Sequence, residues 1–135
     1  MNDHTRRLLY VLAHPDDESF GSAGTIARYV AEGVEVSLIC TTNGDVGTVA
    51  PEFMKGHDSV TSVRLSELSC AAEVLKLKQV ITLGYRDSGM AGSPDNNHPE
   101  SLHLADTDKV AGQVTKVIRE LRPQRSEERR VGKEC

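Results

Sequence analysis

Three short, continuous apolar segments alternate with stretches of helical periodicity, and this alternation limits the possible folds more than any other feature of the chain. The segments lie at residues 8–13, 34–40 and 80–83, and each leads into a polar loop or turn. A strand that is buried on both faces has this unbroken apolar character. Because right-handed crossovers through helices make successive strands parallel, the pattern predicts an α/β fold with a mostly parallel sheet covered on both faces.

Helical spacing of apolar residues occupies the segments between and after these strands. Helices are predicted over residues 17–32, over residues 59–75, and from residue 106 or 107 to residue 121. Two polar loops, at residues 43–56 and 85–105, complete the pattern. The second loop exceeds the about 12–15 residues beyond which a structureless loop is usually functional or disordered. We therefore expect it to contribute to a site.

The composition is that of a single globular domain. The chain has 135 residues, of which 38% are hydrophobic and 27% charged, and this length suits one hydrophobic core. A net charge of −4 without a basic stripe argues against a nucleic-acid partner. No apolar run approaches the roughly 18–20 residues of a membrane span and no signal peptide is recognisable, so no membrane partner and a cytoplasmic location are expected. The cysteines, Cys40, Cys70 and Cys135, lack the spacing of a disulfide framework or a thiolate zinc site.

The first apolar segment ends in Ala-His-Pro-Asp-Asp-Glu, residues 13–18, which places one imidazole and three carboxylates at a single turn. Carboxylates this close repel one another, so a positive group is expected among them. Imidazole and carboxylate are both zinc ligands, and Pro15 keeps His14 out of the helical region, so His14 and Asp17 can point to one metal ion. Asp16 would then lie beside the metal as a general base. The alternative is that the acids only complement the helix dipole, which requires no histidine.

Polar segments follow all three predicted strands, and parallel topology brings them to one edge of the sheet. They lie at residues 14–18, 43–47 and 85–90. In open parallel sheets, ligands bind beyond the carboxyl ends of the strands. The functional site is therefore expected at this edge.

The segment Ala13-His14-Pro15-Asp16-Asp17-Glu18, between a first strand and a first helix, resembles the signature of the LmbE-like, or PIG-L, family of zinc-dependent N-acetylglucosaminyl deacetylases. The helical segment that begins Arg64-Leu65-Ser66-Glu67-Leu68 resembles the second helix of that family, and residues 83–90 resemble its loop after the third strand. The resemblance covers nearly all of residues 7–124. It implies a Rossmann-like three-layer sandwich with a mostly parallel sheet, truncated in this chain.

Position by position, the resemblance implies His14 and Asp17 as metal ligands and Asp16 as the general base. Arg64 and Asp87 match positions that contact the sugar in the family. The alternatives are that Arg64 is a solvated helix charge and that Asp87 only forms an Asx turn with the residues after it. Asp45, on the same edge, is a weaker candidate that could belong to a simple turn, and Glu18 is expected beside the site or at the helix N-terminus.

The implied function is a metal-dependent amide hydrolase that removes an acetyl or other acyl group from an N-acylglucosamine-type substrate. The implied cofactor is Zn²⁺, with Fe²⁺ or another divalent metal as the alternative, and the implied partner is a small amino-sugar conjugate. A different class is also open, a non-catalytic sugar- or nucleotide-binding α/β module. The first turn lacks GxGxxG, however, and its acids would repel a pyrophosphate.

The sequence departs from the family after residue 124. Relatives supply a third metal ligand, and a histidine thought to steady the oxyanion, from an HPDH-like motif after the next strand. Residues 125–135 are instead highly charged and resemble a translated sequencing adapter, so we expect no family strand there. The expected organisation is residues 1–124 as the N-terminal part of a deacetylase domain and 125–135 as an artefactual tail. A genuine solvated charged tail is the alternative.

With two of three ligands, the chain is expected to have little or no activity. None of the other histidines is expected to replace the third ligand, because His98 and His103 lie in the long loop, His57 opens a helix and His4 lies in the terminal segment.

Overall fold

The computed structural model describes residues 5–128, which form one four-stranded sheet. The strands are β1 (Arg7–Leu12), β2 (Glu35–Thr42), β3 (Gln79–Tyr85) and β4 (Arg125–Glu128). Their order across the sheet is β3-β2-β1-β4, and every neighbouring pair is parallel. The α/β fold and the parallel sheet predicted from the sequence are confirmed.

Four helices connect the strands: α1 (Asp17–Gly21), α2 (Ala23–Ala31), α3 (Val60–Val74) and α4 (Thr107–Leu121). The prediction of a single helix over residues 17–32 is therefore wrong in one respect, because the helix is interrupted at Ser22, between α1 and α2. Glycine next to serine is a weak helix-forming pair, which explains a break at this point. Among the described residues, no helix is both long and apolar enough to cross a lipid bilayer.

Short 3₁₀ helices lie in the two polar loops. One turn forms at Pro51–Met54 in the first loop, and two more form at Pro94–Asn97 and Leu102–Leu104 in the second. The long loop predicted over residues 85–105 is thus an ordered segment with its own internal turns. Its backbone also returns to the sheet edge, because Arg86 forms an isolated parallel bridge with Ser101.

The two faces of the sheet are covered by different helices. On one face, alternate residues of β1 and β2 pack against Ile26 of α2 and Leu68 of α3. On the other face, Leu9 and Ile39 pack against Val117 of α4. Leu9, Ile39 and Val117 are each at most 9% exposed. A helical layer on each side of the sheet gives the three-layer sandwich that the resemblance implied.

The prediction that residues 125–135 contain no strand is wrong, because β4 lies at Arg125–Glu128. It pairs with β1 in the register Leu8↔Arg125, and the Gln124 amide donates to the carbonyl of Arg7 over 3.1 Å. Parallel pairing uses backbone groups, so charged side chains are compatible with an edge strand, and those of Arg125 and Glu127 are 78% and 50% exposed. The domain boundary at residue 124 stays a prediction, and residues 129–135 of the expected tail lie outside the described residues.

Replacing Ile39 by alanine is expected to lower the free energy of unfolding by about 2–5 kcal/mol, because it leaves a cavity between the sheet and α4. Ile39 has no exposed surface, whereas Val74, near the end of α3, is 81% exposed. Val74→Ala is the matched control and should change stability by less than about 0.5 kcal/mol. Urea unfolding followed by circular dichroism measures both, and equal losses would contradict the assignment of this face as core.

Candidate active site

The carboxyl ends of β1, β2 and β3 are joined by backbone hydrogen bonds at one edge of the sheet. The amide of Thr42, the last residue of β2, donates to the carbonyl of Ala13 over 3.0 Å. The amide of Asn43 donates to the carbonyl of Tyr85, at the end of β3, over the same distance. The loops after β1, β2 and β3 therefore start from adjacent points, as the sequence predicted.

The turn after β1 is closed by the side chain of Asp17. Its Oδ2 atom accepts hydrogen bonds from the backbone amides of Ala13, at 3.1 Å, and His14, at 2.9 Å. The same oxygen lies 3.7 Å from Nδ1 of the His14 ring. Asp17 thus folds back over the histidine three residues before it, and the two predicted metal ligands lie side by side.

Asp87 reaches the same histidine from the loop after β3. Its Oδ1 atom lies 3.4 Å from Nε2 of His14, on the far side of the ring from Asp17. The same oxygen accepts a hydrogen bond from the Gly89 amide at 2.9 Å. The Asx turn considered as an alternative is therefore present, and it coexists with the contact to His14.

The two carboxylates strongly favour the protonated form of His14 in the absence of metal. Hydrogen bonding to Asp17, and then to Asp87, raises the pKa of His14 from 6.5 to about 10, against an opposing effect of burial. The interaction with His14 in turn lowers the pKa of Asp87 below its usual value. The charge expected among these acids is thus carried here by an imidazolium.

Asp16 forms an ion pair with Arg64 of α3. One guanidinium nitrogen, Nη2, lies 2.9 Å from Oδ2 of Asp16 and donates to the carbonyl of Pro15 at the same distance. The Arg64 side chain is only 16% exposed, so it is not the solvated helix charge considered as an alternative. A Cβ atom on Gly47 would lie 2.5 Å from the other terminal nitrogen, which shows how closely the loop after β2 encloses this guanidinium.

Glu18 points into the protein from the first turn of α1. It is 1% exposed, and its Oε1 atom accepts a hydrogen bond from the Ser19 hydroxyl at 2.7 Å. Its Oε2 atom is buried and has no partner among the described residues. Of the two positions expected for Glu18, beside the site or at the helix N-terminus, the structure shows the second.

Asp45, Arg86 and Asp95 form a second charged cluster, which connects the loops after β2 and β3. Arg86 donates to Oδ2 of Asp45 from Nη1 and to Oδ1 of Asp95 from Nη2, both over 2.8 Å. Of these residues, the sequence had singled out only Asp45. Arg86 directly precedes the predicted Asp87, which is the one local signal that could have drawn attention to it.

The donor types at the turn suit a divalent metal, but the donor set is incomplete. His14 and Asp17 supply an imidazole nitrogen and a carboxylate, as zinc requires. Among residues 5–128, no three histidine, cysteine, aspartate or glutamate residues are arranged to hold an ion. Neither His98, whose ring accepts from the Glu100 amide at 3.2 Å, nor the exposed His103 joins His14 in such a group. His57 contacts the Ser62 hydroxyl, and His4 lies outside the described residues.

The fold and the site define a class, the α/β proteins whose polar site follows the first strand of a parallel sheet. A family profile described as "PIG-L: GlcNAc-PI de-N-acetylase" matches residues 9–125. The chain belongs to the PIG-L family, and the resemblance seen in the sequence is confirmed.

Similar proteins of known name include deacetylases. A 1D-myo-inositol 2-acetamido-2-deoxy-alpha-D-glucopyranoside deacetylase of Thermobispora bispora is 43% identical over 128 residues, which are 88% of this chain and 42% of that protein. The chain thus spans less than half the length of this deacetylase and of two similar curated relatives.

Solved structures share the fold. The N,N'-diacetylchitobiose deacetylase of Pyrococcus horikoshii, in complex with an inhibitor, has a TM-score of 0.70 and 28% identity over 91% of this chain and 40% of its own. The 4-carboxy-2-hydroxymuconate hydratase of Pseudomonas putida has a TM-score of 0.65 at 22% identity, over 90% of this chain and 46% of its own. Because a hydratase shares the fold, the reaction has to be argued from the site.

In the metal-free chain, His14 is expected to stabilise the fold in a pH-dependent way. Because its pKa rises from 6.5 to about 10 on folding, this contribution is complete below pH 6.5 and is lost as the pH rises towards 10. We expect the stability difference between the wild type and His14→Gln to shrink across this range. Urea unfolding at pH 6 and pH 10 with a chelator measures it, and a difference independent of pH would contradict the ion pairs.

Gly44 is expected to tolerate no side chain. Its φ is +64°, and a Cβ atom would lie 2.9 Å from Cδ of Pro15, whereas nothing lies within 4 Å of a Cβ atom on Gly24 in α2. Gly44→Ala should destabilise the chain by at least about 1–2 kcal/mol through the left-handed backbone alone. Gly24→Ala should stabilise it by about 0.5–1 kcal/mol through helix propensity. Thermal unfolding of both variants checks this pair, and similar effects would exclude a steric constraint at the turn.

Proposed function

We propose that this chain carries the catalytic edge of a metal-dependent amide hydrolase that removes an acetyl group from an N-acylglucosamine-type substrate. The observation that carries the proposal is the convergence of His14, Asp17 and Asp87 at the end of β1, beside the Asp16–Arg64 ion pair. Membership of the PIG-L family and the names of the similar deacetylases support the same reaction and substrate class.

His14 and Asp17 would hold the divalent metal, with Zn²⁺ as the first choice and Fe²⁺ as the alternative. A bound zinc ion supplies Lewis-acid polarisation of the acetamide carbonyl and of a water molecule. The protein contributes the orientation of its ligands, because Asp17 is fixed by two backbone amides and His14 is contacted at both ring nitrogens.

Asp16 is the proposed general base. Its side chain is 42% exposed, so water can reach it, and its Oδ2 atom is held by Arg64. In the proposed reaction the Asp16 carboxylate accepts a proton from the attacking water. It then returns this proton to the nitrogen of the departing amine, so that the C–N bond breaks and acetate and a free amino sugar leave.

Arg64 and Asp87 are the proposed sugar-contacting residues. Both side chains lie against the proposed catalytic turn, and Asp87 already uses Oδ1 for His14 and Gly89. We therefore assign the contact with a sugar hydroxyl to Oδ2 of Asp87. The proposed partner is a small amino-sugar conjugate, and a net charge of −4 argues against a nucleic acid.

The 135-residue chain by itself is proposed to bind metal weakly and to hydrolyse amides slowly or not at all. A catalytic zinc site commonly uses three protein ligands, and among residues 5–128 no three histidine, cysteine, aspartate or glutamate side chains are arranged to hold an ion. The alternative of a non-catalytic sugar- or nucleotide-binding module would show sugar or nucleotide binding that does not depend on a metal.

Zinc binding measured by competition with a chromogenic chelator tests the ligands. We expect His14→Ala and Asp17→Asn each to weaken the wild-type affinity by more than about 10-fold, because each removes one donor. Asp16→Asn is the matched control, since it neutralises the neighbouring carboxylate and should leave the affinity within about 3-fold. A wild-type affinity that neither ligand variant changes would exclude this metal site.

The same Asp16→Asn variant tests the reaction. Any zinc-dependent acetate release from an N-acetylglucosaminyl-inositol should fall by about 10²-fold or more, the usual contribution of a general base. Release that persists unchanged in Asp16→Asn would contradict the assigned base, and metal-independent sugar binding without release would favour the binding module.

A further inference from the structure

Asp45, on the loop after β2, is bonded to the backbone of Asp87 on the loop after β3. Its Oδ1 atom accepts a hydrogen bond from the Asp87 amide at 2.9 Å. Its Oδ2 atom accepts from Nη1 of the preceding residue, Arg86, at 2.8 Å. One carboxylate therefore holds two successive residues of the neighbouring loop, next to the residue whose side chain contacts His14.

We propose that Asp45 is a positioning residue that fixes Asp87 against His14 and thereby orients the imidazole for metal binding. The proposal rests on the proposed function, in which His14 is a metal ligand. It deepens that function by giving Asp45 a specific task, and it gives Asp87 a second role besides the proposed contact with the sugar.

The distances around the His14 ring show which ring nitrogen lies next to which carboxylate. Nδ1 lies on the side of Asp17, at 3.7 Å, and Nε2 lies on the side of Asp87, at 3.4 Å. Nδ1 therefore lies beside the other proposed metal ligand, and Nε2 lies where it can donate its proton to Asp87. Histidines that bind metals commonly donate their other N–H to a carboxylate, which sets the tautomer and the ring orientation.

The turn at Asp87 does not by itself place this carboxylate beside β1. The hydrogen bond from the Gly89 amide orients the Asp87 side chain within its own loop. Side-chain bonds of Asn96 to the Met90 carbonyl, at 3.1 Å, and from the Gly92 amide, at 2.9 Å, likewise stay within that loop. The bond to Asp45 instead links Asp87 to a loop that starts beside the end of β1.

Arg86 makes this arrangement electrostatically favourable. The Asp45 side chain is 16% exposed and contacts the backbone amide of another acid, Asp87, so an uncompensated charge on Asp45 would be costly. The Arg86 guanidinium lies between Asp45 and Asp95 and neutralises both, while Asp45 contacts the amide rather than the carboxylate of Asp87. The arginine thus orients the Asp45 carboxylate towards the Asp87 amide.

The cluster provides a matched set of variants. Asp45→Ala removes both acceptors, whereas Asp45→Asn retains a carbonyl oxygen for the Asp87 amide. Asp95→Ala removes an ion pair of the same 2.8 Å length to the same arginine, from a side chain without a hydrogen bond to residue 87. Arg86→Gln leaves Asp45 in place but removes the group that orients it, and it serves as a second variant if Asp45→Ala fails to fold.

Zinc affinity, measured on the full chain by chelator competition, is the first readout. Loss of a group that orients a ligand typically weakens metal affinity by about 10–100-fold, so we expect at least about a 10-fold loss for Asp45→Ala and about 3–10-fold for Arg86→Gln. Asp45→Asn should recover most of the affinity, and Asp95→Ala should stay within about 2-fold of the wild type. Equal losses in Asp45→Ala and Asp95→Ala would indicate general destabilisation and overturn the proposal.

Hydrogen exchange at the Asp87 amide, measured by NMR on the metal-free chain, separates this proposal from the proposed function. The amide should be protected in the wild type, Asp45→Asn and Asp95→Ala, and should lose protection in Asp45→Ala, together with a shift of the His14 ring resonances. If these signals respond as expected but zinc binds equally to wild type and His14→Ala, the metal site fails and the positioning of Asp87 stands. If Asp45→Ala leaves the amide and the ring unchanged, the positioning role is excluded.

Discussion

The site depends on how the backbone of Ala13 is held at the end of β1. Its amide donates to the Asp17 side chain, and its carbonyl accepts from the amide and the hydroxyl of Thr42, at 3.0 and 2.8 Å. The end of β1 is thereby tied to the following helix on one side and to β2 on the other. Because His14 is the next residue, its ring projects from a backbone that is hydrogen-bonded on both sides, as the proposed role of a metal ligand requires.

Charge compensation organises the rest of this edge. Four acids at this edge each lie against a positive group, with His14 between Asp17 and Asp87, Arg64 on Asp16, and Arg86 on Asp45. Such pairs link the loops after three strands and the helix α3. Since a hydratase and deacetylases share the overall fold, these local pairs, rather than the sheet, are the features that can distinguish one reaction from another.

Much of this arrangement could be predicted from local patterns. The apolar segments identified β1, β2 and β3, and the parallel topology that they imply predicted that the loops carrying His14 and Asp87 would meet. The break at Ser22 and the strand β4 were not predicted. The helical period continues across Ser22, so hydrophobic spacing gives no warning of the break. A strand that pairs at the sheet edge through its backbone leaves no apolar signature in its side chains.

The sequence by itself determined the fold class, the order of the elements and the neighbouring pair His14 and Asp17, because each depends on residues close together in the chain. Only the tertiary structure decided that Arg64 is the partner of Asp16 and that Asp45 holds the backbone of Asp87, 42 residues away. Solvated charges are common on loops and helices, and nothing in their spacing shows which of them will pair. Those pairs form because the folded sheet brings distant loops together, and this information lies in the packing rather than in any local pattern.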